Sequence, residues 1–286
     1  MLYTIKKDGL EATVASFGGE LYSLVKDGTE YIWQAGKSWN RHAPLLFPFI
    51  CSPKDKTYTA AGKEYKMKAN HGFARDMEFE LVKADDSSVT LMLRDNEVTK
   101  EQYPYSFEFY VKYFFENGRL VSSFEVKNTG SEKMYFYLGG HPAFNCPLSK
   151  ELKFDDYYVQ CEKDETIGQS TSLGMRTVLA GENKIELTRK LFDFDVIMKA
   201  NPASKSISLK SDKDSKSVTL FFPQSECIAV WSPTGDNEAE FVCLEPWTSV
   251  PVYCDDDCRD IEEKRHAIGL EANRSFSYRY DIEVKA

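Results

Sequence analysis

Hydrophobic and polar positions alternate with a period near two along much of this chain. The clearest run is Phe107, Phe109, Val111, Tyr113 and Phe115, interleaved with Glu108, Tyr110, Lys112, Phe114 and Glu116. Asn117-Gly118 follows, and then Leu120, Ser122, Phe124 and Val126 alternate with Val121, Ser123 and Glu125. Such alternation on both sides of Asn-Gly predicts an antiparallel hairpin, because that dipeptide tolerates positive φ at both turn positions. Asp8-Gly9, between residues 3–7 and 10–16, and Asp27-Gly28, between 20–26 and 29–33, predict two more. Further strands are expected at 89–93, 206–209, 217–222, 226–231 and 276–284. Helical periodicity is confined to 96–103 and to the charge-crowded 257–267. Many short strands separated by turn signals predict an all-β fold, a sandwich or barrel, with a few short helices. No linker-like stretch or composition shift interrupts 1–286, so a single domain is expected.

Composition narrows the class. The net charge of -9 argues against a nucleic-acid partner, which requires a basic stripe. No window approaches the ~18 apolar residues of a membrane span, so no membrane partner is expected. The opening MLYTIKKDGLEATV lacks an apolar run after its charges and reads as no secretory signal. Seven cysteines without regular spacing then read as reduced thiols of a cytoplasmic protein. The 19 Phe and 16 Tyr favour strands and a stacking surface for a sugar or base. Oligomeric state is not legible.

The candidate chemistry centres on three places. In KMYFYLGGHPAFNCPL, an aromatic strand-like run ends in Gly139-Gly140 and presents His141. His71, in NHGFAR, has a similar glycine-bearing context. Each is an acid/base candidate, and each is as readily a structural loop residue; together they gain weight, since loops placed by a rigid sheet concentrate function. Glu245, in FVCLEPWTSVP, puts a carboxyl in an apolar run. Desolvation there would raise its pKa and make it a base suited to neutral pH. The alternative, an exposed position on an edge strand, stays open, and Pro246 is expected to end the regular ladder. Asp195, in LFDFDVIM, reads either as a site acid or, more simply, as a solvent-facing strand residue. His42 and His266 fit structural or solvated roles. Cys254, Cys258 and His266 do not have the spacing of structural zinc, and phosphate loops and dinucleotide fingerprints are missing, so no metal or cofactor is expected.

HGFAR at 71–75, GGHPAFN at 139–145 and LEPWTSVP at 244–251, in that order, resemble the aldose 1-epimerase (mutarotase) family. The PLLFP run within 43–48 is similar to the LacX branch. The resemblance covers almost the whole chain. It implies a large antiparallel β-sandwich and a cofactor-free interconversion of the α and β anomers of a free sugar. It implies Glu245 as general base and His141 as general acid, acting from opposite sides of the ring. It also implies His71 and Asp195 as sugar ligands, while Trp247 and Phe144 are expected to stack on the sugar. One departure stands out: relatives carry an arginine after the FP run where this chain has Cys51-Ser52. Arg41 or Arg75 is expected to take over that contact. The missing arginine keeps two alternatives in view, a non-catalytic carbohydrate-binding protein and a sugar-phosphate mutarotase.

Overall fold

The computed structural model describes all 286 residues. The alternating segment forms the expected hairpin, Phe107–Glu116 against Arg119–Asn128, with Glu116 across from Arg119. Asn117 and Gly118 both adopt positive φ, 51° and 74°. Phe107, Phe109, Val111 and Tyr113 are fully buried, so the alternation marks the face on the core. Leu2–Lys7 and Leu10–Ala15 pair around Asp8-Gly9 in the same way. The hairpin at Asp27-Gly28 is shorter than its sequence suggests: across that turn only Val25 and Lys26 pair, with Glu30 and Thr29. The Glu30 carboxylate explains the truncation. Its Oε1 accepts from the Leu24 and Ile32 amides, each at 2.9 Å, and so takes a place that a ladder carbonyl would fill.

Nine strands form one antiparallel sheet, in the order Gly174–Glu186, Tyr158–Thr171, Ser206–Ser211, Asp214–Phe221, Ser275–Lys285, Arg119–Asn128, Phe107–Glu116, Ser88–Arg94 and Glu80–Asp85. A second sheet runs Ile197–Ala200, Cys227–Trp231, Phe241–Trp247, Gly139–Gly140 and Leu45–Leu46, and Ala143–Asn145 also pairs with Phe241–Trp247. A four-stranded sheet of the first 30 residues completes the large elements. The two major sheets share one core of 68 buried residues. Phe47, next to the second sheet, packs on Phe109 of the first with ring centroids 4.8 Å apart. This is the large antiparallel β-sandwich that the motifs implied.

The 96–103 helix reduces to Glu97–Lys100, started by reciprocal bonds between Asn96 and Thr99 and followed by Pro104. The expected helix over 257–267 does not form. That segment is a series of turns built around two buried ionised groups. Lys264 donates to the carbonyls of Asp255 and Cys258, and the Asp255 carboxylate accepts from Arg265 Nε and the His266 amide. Satisfying these buried charges outweighs the modest helix propensity of the segment.

Gly72 shows how tightly the sheet edge meets the loops. It adopts φ 75°, bridges to Phe47, and has the Phe47 carbonyl where a Cβ would lie. Gly62 has a similar φ of 72° but open space around it. Gly62→Ala is expected to cost about 1–2 kcal/mol, from the left-handed backbone alone. Gly72→Ala is expected to cost roughly 1–3 kcal/mol more, because the methyl group forces the backbone apart. Urea denaturation of the two variants checks this; equal midpoints would show that the close approach carries no energy.

Candidate active site

Sheet register brings the two motif residues together. Gly139 lies across from Trp247, and Ala143 lies across from Cys243. His141, midway between, therefore falls opposite Glu245. Directly opposed residues of an antiparallel pair project from the same face with their side chains close. His141 Nε2 is 3.2 Å from Glu245 Oε2. On its other side Glu245 lies across from Ala229, whose small side chain leaves room above the carboxyl. The glycines before His141 are needed for packing: a Cβ at Gly140 would overlap the Tyr280 ring. The strand Phe241–Trp247 is buried along its whole length, so the exposed-edge alternative for Glu245 does not hold. Pro246 does not end the ladder either. Pairing continues through Pro246, across from Ile228, to Trp247, across from Cys227.

This pair lies in a cleft of about 290 Å³, near the lower end of the ~300–1,000 Å³ typical of small-ligand sites. Burial, reinforced by the Arg75 guanidinium, pushes the His141 imidazole down to about 3. Burial, reinforced by the Asp195 charge, pushes the Glu245 carboxyl well above the ordinary carboxylate range. Both shifts favour the uncharged forms, and at 3.2 Å the two groups titrate as a coupled pair. The His141 ring is enclosed by aromatic neighbours. Trp39 stacks on it at 5.1 Å, Trp231 meets it edge-on at 5.6 Å, and His71 does so at 5.5 Å.

His71 is fixed by a reciprocal clasp with Cys51. The His71 amide donates to the Cys51 carbonyl at 2.9 Å, and the Cys51 amide donates to His71 Nδ1 at 3.0 Å. Nδ1 accepts, so the neutral ring carries its proton on Nε2, where it is a donor. Burial and the nearby His141, Arg75 and Arg41 hold its pKa well below the usual histidine value. Cys51 and His71 both take left-handed backbone, φ 59° and 64°. Asp195 does too, at φ 65°, and its Oδ1 accepts from the Trp231 indole N–H at 2.7 Å. Three cleft residues thus share a conformation that is costly for non-glycine residues and that concentrates at functional sites.

Of the residues singled out in the sequence, His71, Arg75, His141, Asp195, Glu245 and Trp247 line this one cleft. Two others do not. Phe144 is fully buried in the core, because as a neighbour of Ala143 in a strand it points to the opposite face. Arg41 stands behind the cleft wall, bonded to the Arg75 carbonyl and paired with Asp76 at 2.6 Å. Arg75 therefore supplies the guanidinium, while Ser52, outside the lining, donates to Asn70 Oδ1 at 3.0 Å. His141 and Glu245 do not face each other across a ring-sized gap: 3.2 Å between them admits none, and they sit side by side in one wall. Trp39, Asn70, Val196 and Trp231 also line the cleft and were not singled out. Asn70 and Val196 adjoin His71 and Asp195 in the quoted segments and Trp231 ends an expected strand, whereas nothing local marked Trp39.

Buried side chains seldom leave polar atoms without partners. Six such atoms occur here, and three of them, Arg75 Nε, His141 Nδ1 and Trp247 Nε1, belong to cleft residues. The surroundings suit a ligand dense in hydroxyl groups. They suit a metal poorly. His141, Cys243 and Glu245 have donor atoms within 4.8 Å of one another, but burial drives the Cys243 thiol well above its ordinary pKa and keeps it protonated. A protonated thiol is not a metal ligand.

Comparison with known proteins agrees with this geometry. The profile of a family described as Aldose 1-epimerase matches residues 1–256. Protein LacX of Lactococcus lactis subsp. lactis is 32% identical over 271 residues, covering 87% of this chain and 88% of LacX. A galactose mutarotase related enzyme from Lactobacillus acidophilus superposes with a TM-score of 0.92 at 30% identity, over 100% of this chain and 98% of that one. A galactose mutarotase-like protein from Lactobacillus casei gives 0.90 at 31% identity, over 100% of both chains. This chain belongs to the aldose 1-epimerase family.

Proposed function

We propose that this protein is a cofactor-free aldose 1-epimerase that interconverts the α and β anomers of a free hexose or related sugar. The contact between His141 and Glu245 carries the reading. The anomeric oxygen and the ring oxygen of a pyranose are bonded to the same carbon, so they are neighbours. Two groups side by side in one wall reach both at once. In the reactive form the pair carries one proton, on His141: the Glu245 carboxylate takes the proton of the anomeric hydroxyl while the His141 imidazolium gives its Nε2 proton to the ring oxygen, which leaves Glu245 protonated and His141 neutral. The bond from the anomeric carbon to the ring oxygen breaks as the carbonyl forms. The aldehyde end rotates, and ring closure on the other face returns both protons.

The remaining residues hold the sugar. His71 Nε2–H and Arg75 donate to hydroxyl oxygens, and Asp195 accepts from hydroxyl groups. Trp39 and Trp231 offer flat faces to the sugar's apolar side and, beside His141, favour its imidazolium form during transfer. The cleft has one guanidinium and two carboxyl groups, a balance that favours a neutral sugar over a sugar phosphate. The whole chain acts as one unit, and its seven free thiols suit the cytoplasm.

Polarimetry of freshly dissolved α-glucose and α-galactose tests the activity. Wild type is expected to accelerate the approach to equilibrium for at least one of them. Glu245→Gln is expected to lose roughly 10²–10⁴-fold of that acceleration, the usual worth of a positioned proton transfer. Equal rates for the two proteins would remove Glu245 from the mechanism.

The pH profile is a separate test. A histidine whose pKa is lowered stays neutral as pH falls through its ordinary value, and His141 lies at about 3. His71 shifts the same way. The pair therefore keeps its single proton, and His71 its donor tautomer, as pH falls from about 7.5 to 5.5, across the ordinary histidine value near 6.5. The kcat/KM is expected to be flat over that range. An acid limb with an apparent pKa near 6.5 would contradict this electrostatic account.

A further inference from the structure

The strand Tyr158–Thr171 pairs with its sheet neighbour Ser206–Ser211 only as far as Cys161. Beyond that it continues with Gly174–Glu186 as an arm, through several irregularities of register, to an exposed tip at Leu173. Inside the arm Gln169 is paired with Arg176 across the two strands. Gln169 is buried, although nothing in the catalytic chemistry uses it.

Its hydrogen bonds give it a purpose. Gln169 Nε2 lies 3.3, 3.0 and 3.2 Å from the carbonyl oxygens of Phe194, Asp195 and Val196. In extended chain, successive carbonyls point to opposite sides. Three in a row converge on one donor only if the chain curls between them, and it does so at Asp195, with φ 65°. The amide thus binds the conformation that a non-glycine residue resists. Arg176 completes the clamp. Its Nε donates to Gln169 Oε1 at 2.6 Å, Nη2 donates to the Leu191 carbonyl at 2.5 Å, and the guanidinium lies 5.2 Å from the centre of the Phe194 ring. With its oxygen held by a cation, the Gln169 amide cannot flip and offers only N–H to the turn.

We propose that Gln169 and Arg176 are positioning residues of the sugar site. They hold the 191–196 turn so that the Asp195 carboxylate faces the cleft, and they thereby set sugar affinity from a hairpin arm outside it. The inference rests on the proposed role of Asp195 as a sugar ligand. Trp231 reports on the same geometry, because its indole N–H bonds Asp195 Oδ1.

The test compares Gln169→Leu, Gln169→Glu and Arg176→Lys with Asp195→Asn in the full chain. KM and kcat for mutarotation are read by polarimetry, and the four indole N–H signals by NMR, with Trp231 assigned from Trp231→Phe. Asp195→Asn and Gln169→Leu are each expected to raise KM about tenfold, the scale of one well-made polar contact, with kcat within about threefold. Gln169→Glu keeps the acceptor for Arg176 but loses the donors, so it is expected to resemble Gln169→Leu. In all three the Trp231 indole signal moves. Arg176→Lys keeps the charge but loses the fork, and is expected to raise KM by a smaller factor. It decides the matter if the Gln169 variants fail to fold. A purely structural role would lower melting temperature and leave KM and the Trp231 signal alone. If Arg176→Lys and the folded Gln169 variants do this while Asp195→Asn raises KM, the proposal is overturned. If Asp195→Asn also leaves KM unchanged, Asp195 is not a sugar ligand, and the proposal falls with that reading.

Discussion

The pairing register of Gly139–Asn145 against Phe241–Trp247 is the constraint on which the site depends. It sets a histidine across from a glutamate on one face of a buried sheet, 3.2 Å apart. A slip of one residue would turn either side chain to the other face. The glycines ahead of His141 let Tyr280 close against the strand, and Ala229 leaves the space above the carboxyl open. Burial then makes an ordinary histidine and glutamate into a coupled pair in which both uncharged forms are favoured. The same burial would be a liability in a purely structural core, where an apolar pair would serve better.

Much of the fold was legible because period-two alternation and Asn-Gly or Asp-Gly turns are local signals. The hairpin 107–128 is written almost residue by residue. What was misread depended on long-range partners. The 257–267 segment has helix-compatible residues, but the buried Lys264 and Asp255 organise it as turns. The long hairpin that carries Gln169 is polar and lacks an Asn-Gly signal, so nothing local marks it. Of the site, the three motifs gave His71, Arg75, His141, Glu245 and Trp247, and LFDFDVIM gave Asp195, as candidates that share a cleft. Phe144 was misplaced because neighbours along a strand face opposite ways. Arg41 was misplaced because its pairing with Asp76 is a tertiary fact. Trp39 lies in a loop with no motif around it, and its place on His141 follows only from the fold.

The site is divided between rigid and curled backbone. His141 and Glu245, proposed to transfer protons, sit where sheet register fixes their geometry. The groups assigned to hold sugar hydroxyls, His71 and Asp195, sit on left-handed turns braced from outside, one by Cys51 and one by Gln169. Arg75 lines the cleft, so the Cys51-Ser52 departure does not leave it without a cation. The side-by-side placement of His141 and Glu245 matches the adjacency of the two oxygens that exchange protons in the proposed reaction, which an arrangement across the ring would not.

The central claim is that Glu245 and His141 address the anomeric and ring oxygens of one sugar. The most direct measurement is a crystal structure of Glu245→Gln with a hexose bound. The account predicts the anomeric oxygen within hydrogen-bonding distance of residue 245 and the ring oxygen within reach of His141 Nε2, with Asp195 on a hydroxyl group elsewhere on the ring. A sugar bound with its anomeric carbon turned away from both residues, or bound outside this cleft, would contradict it.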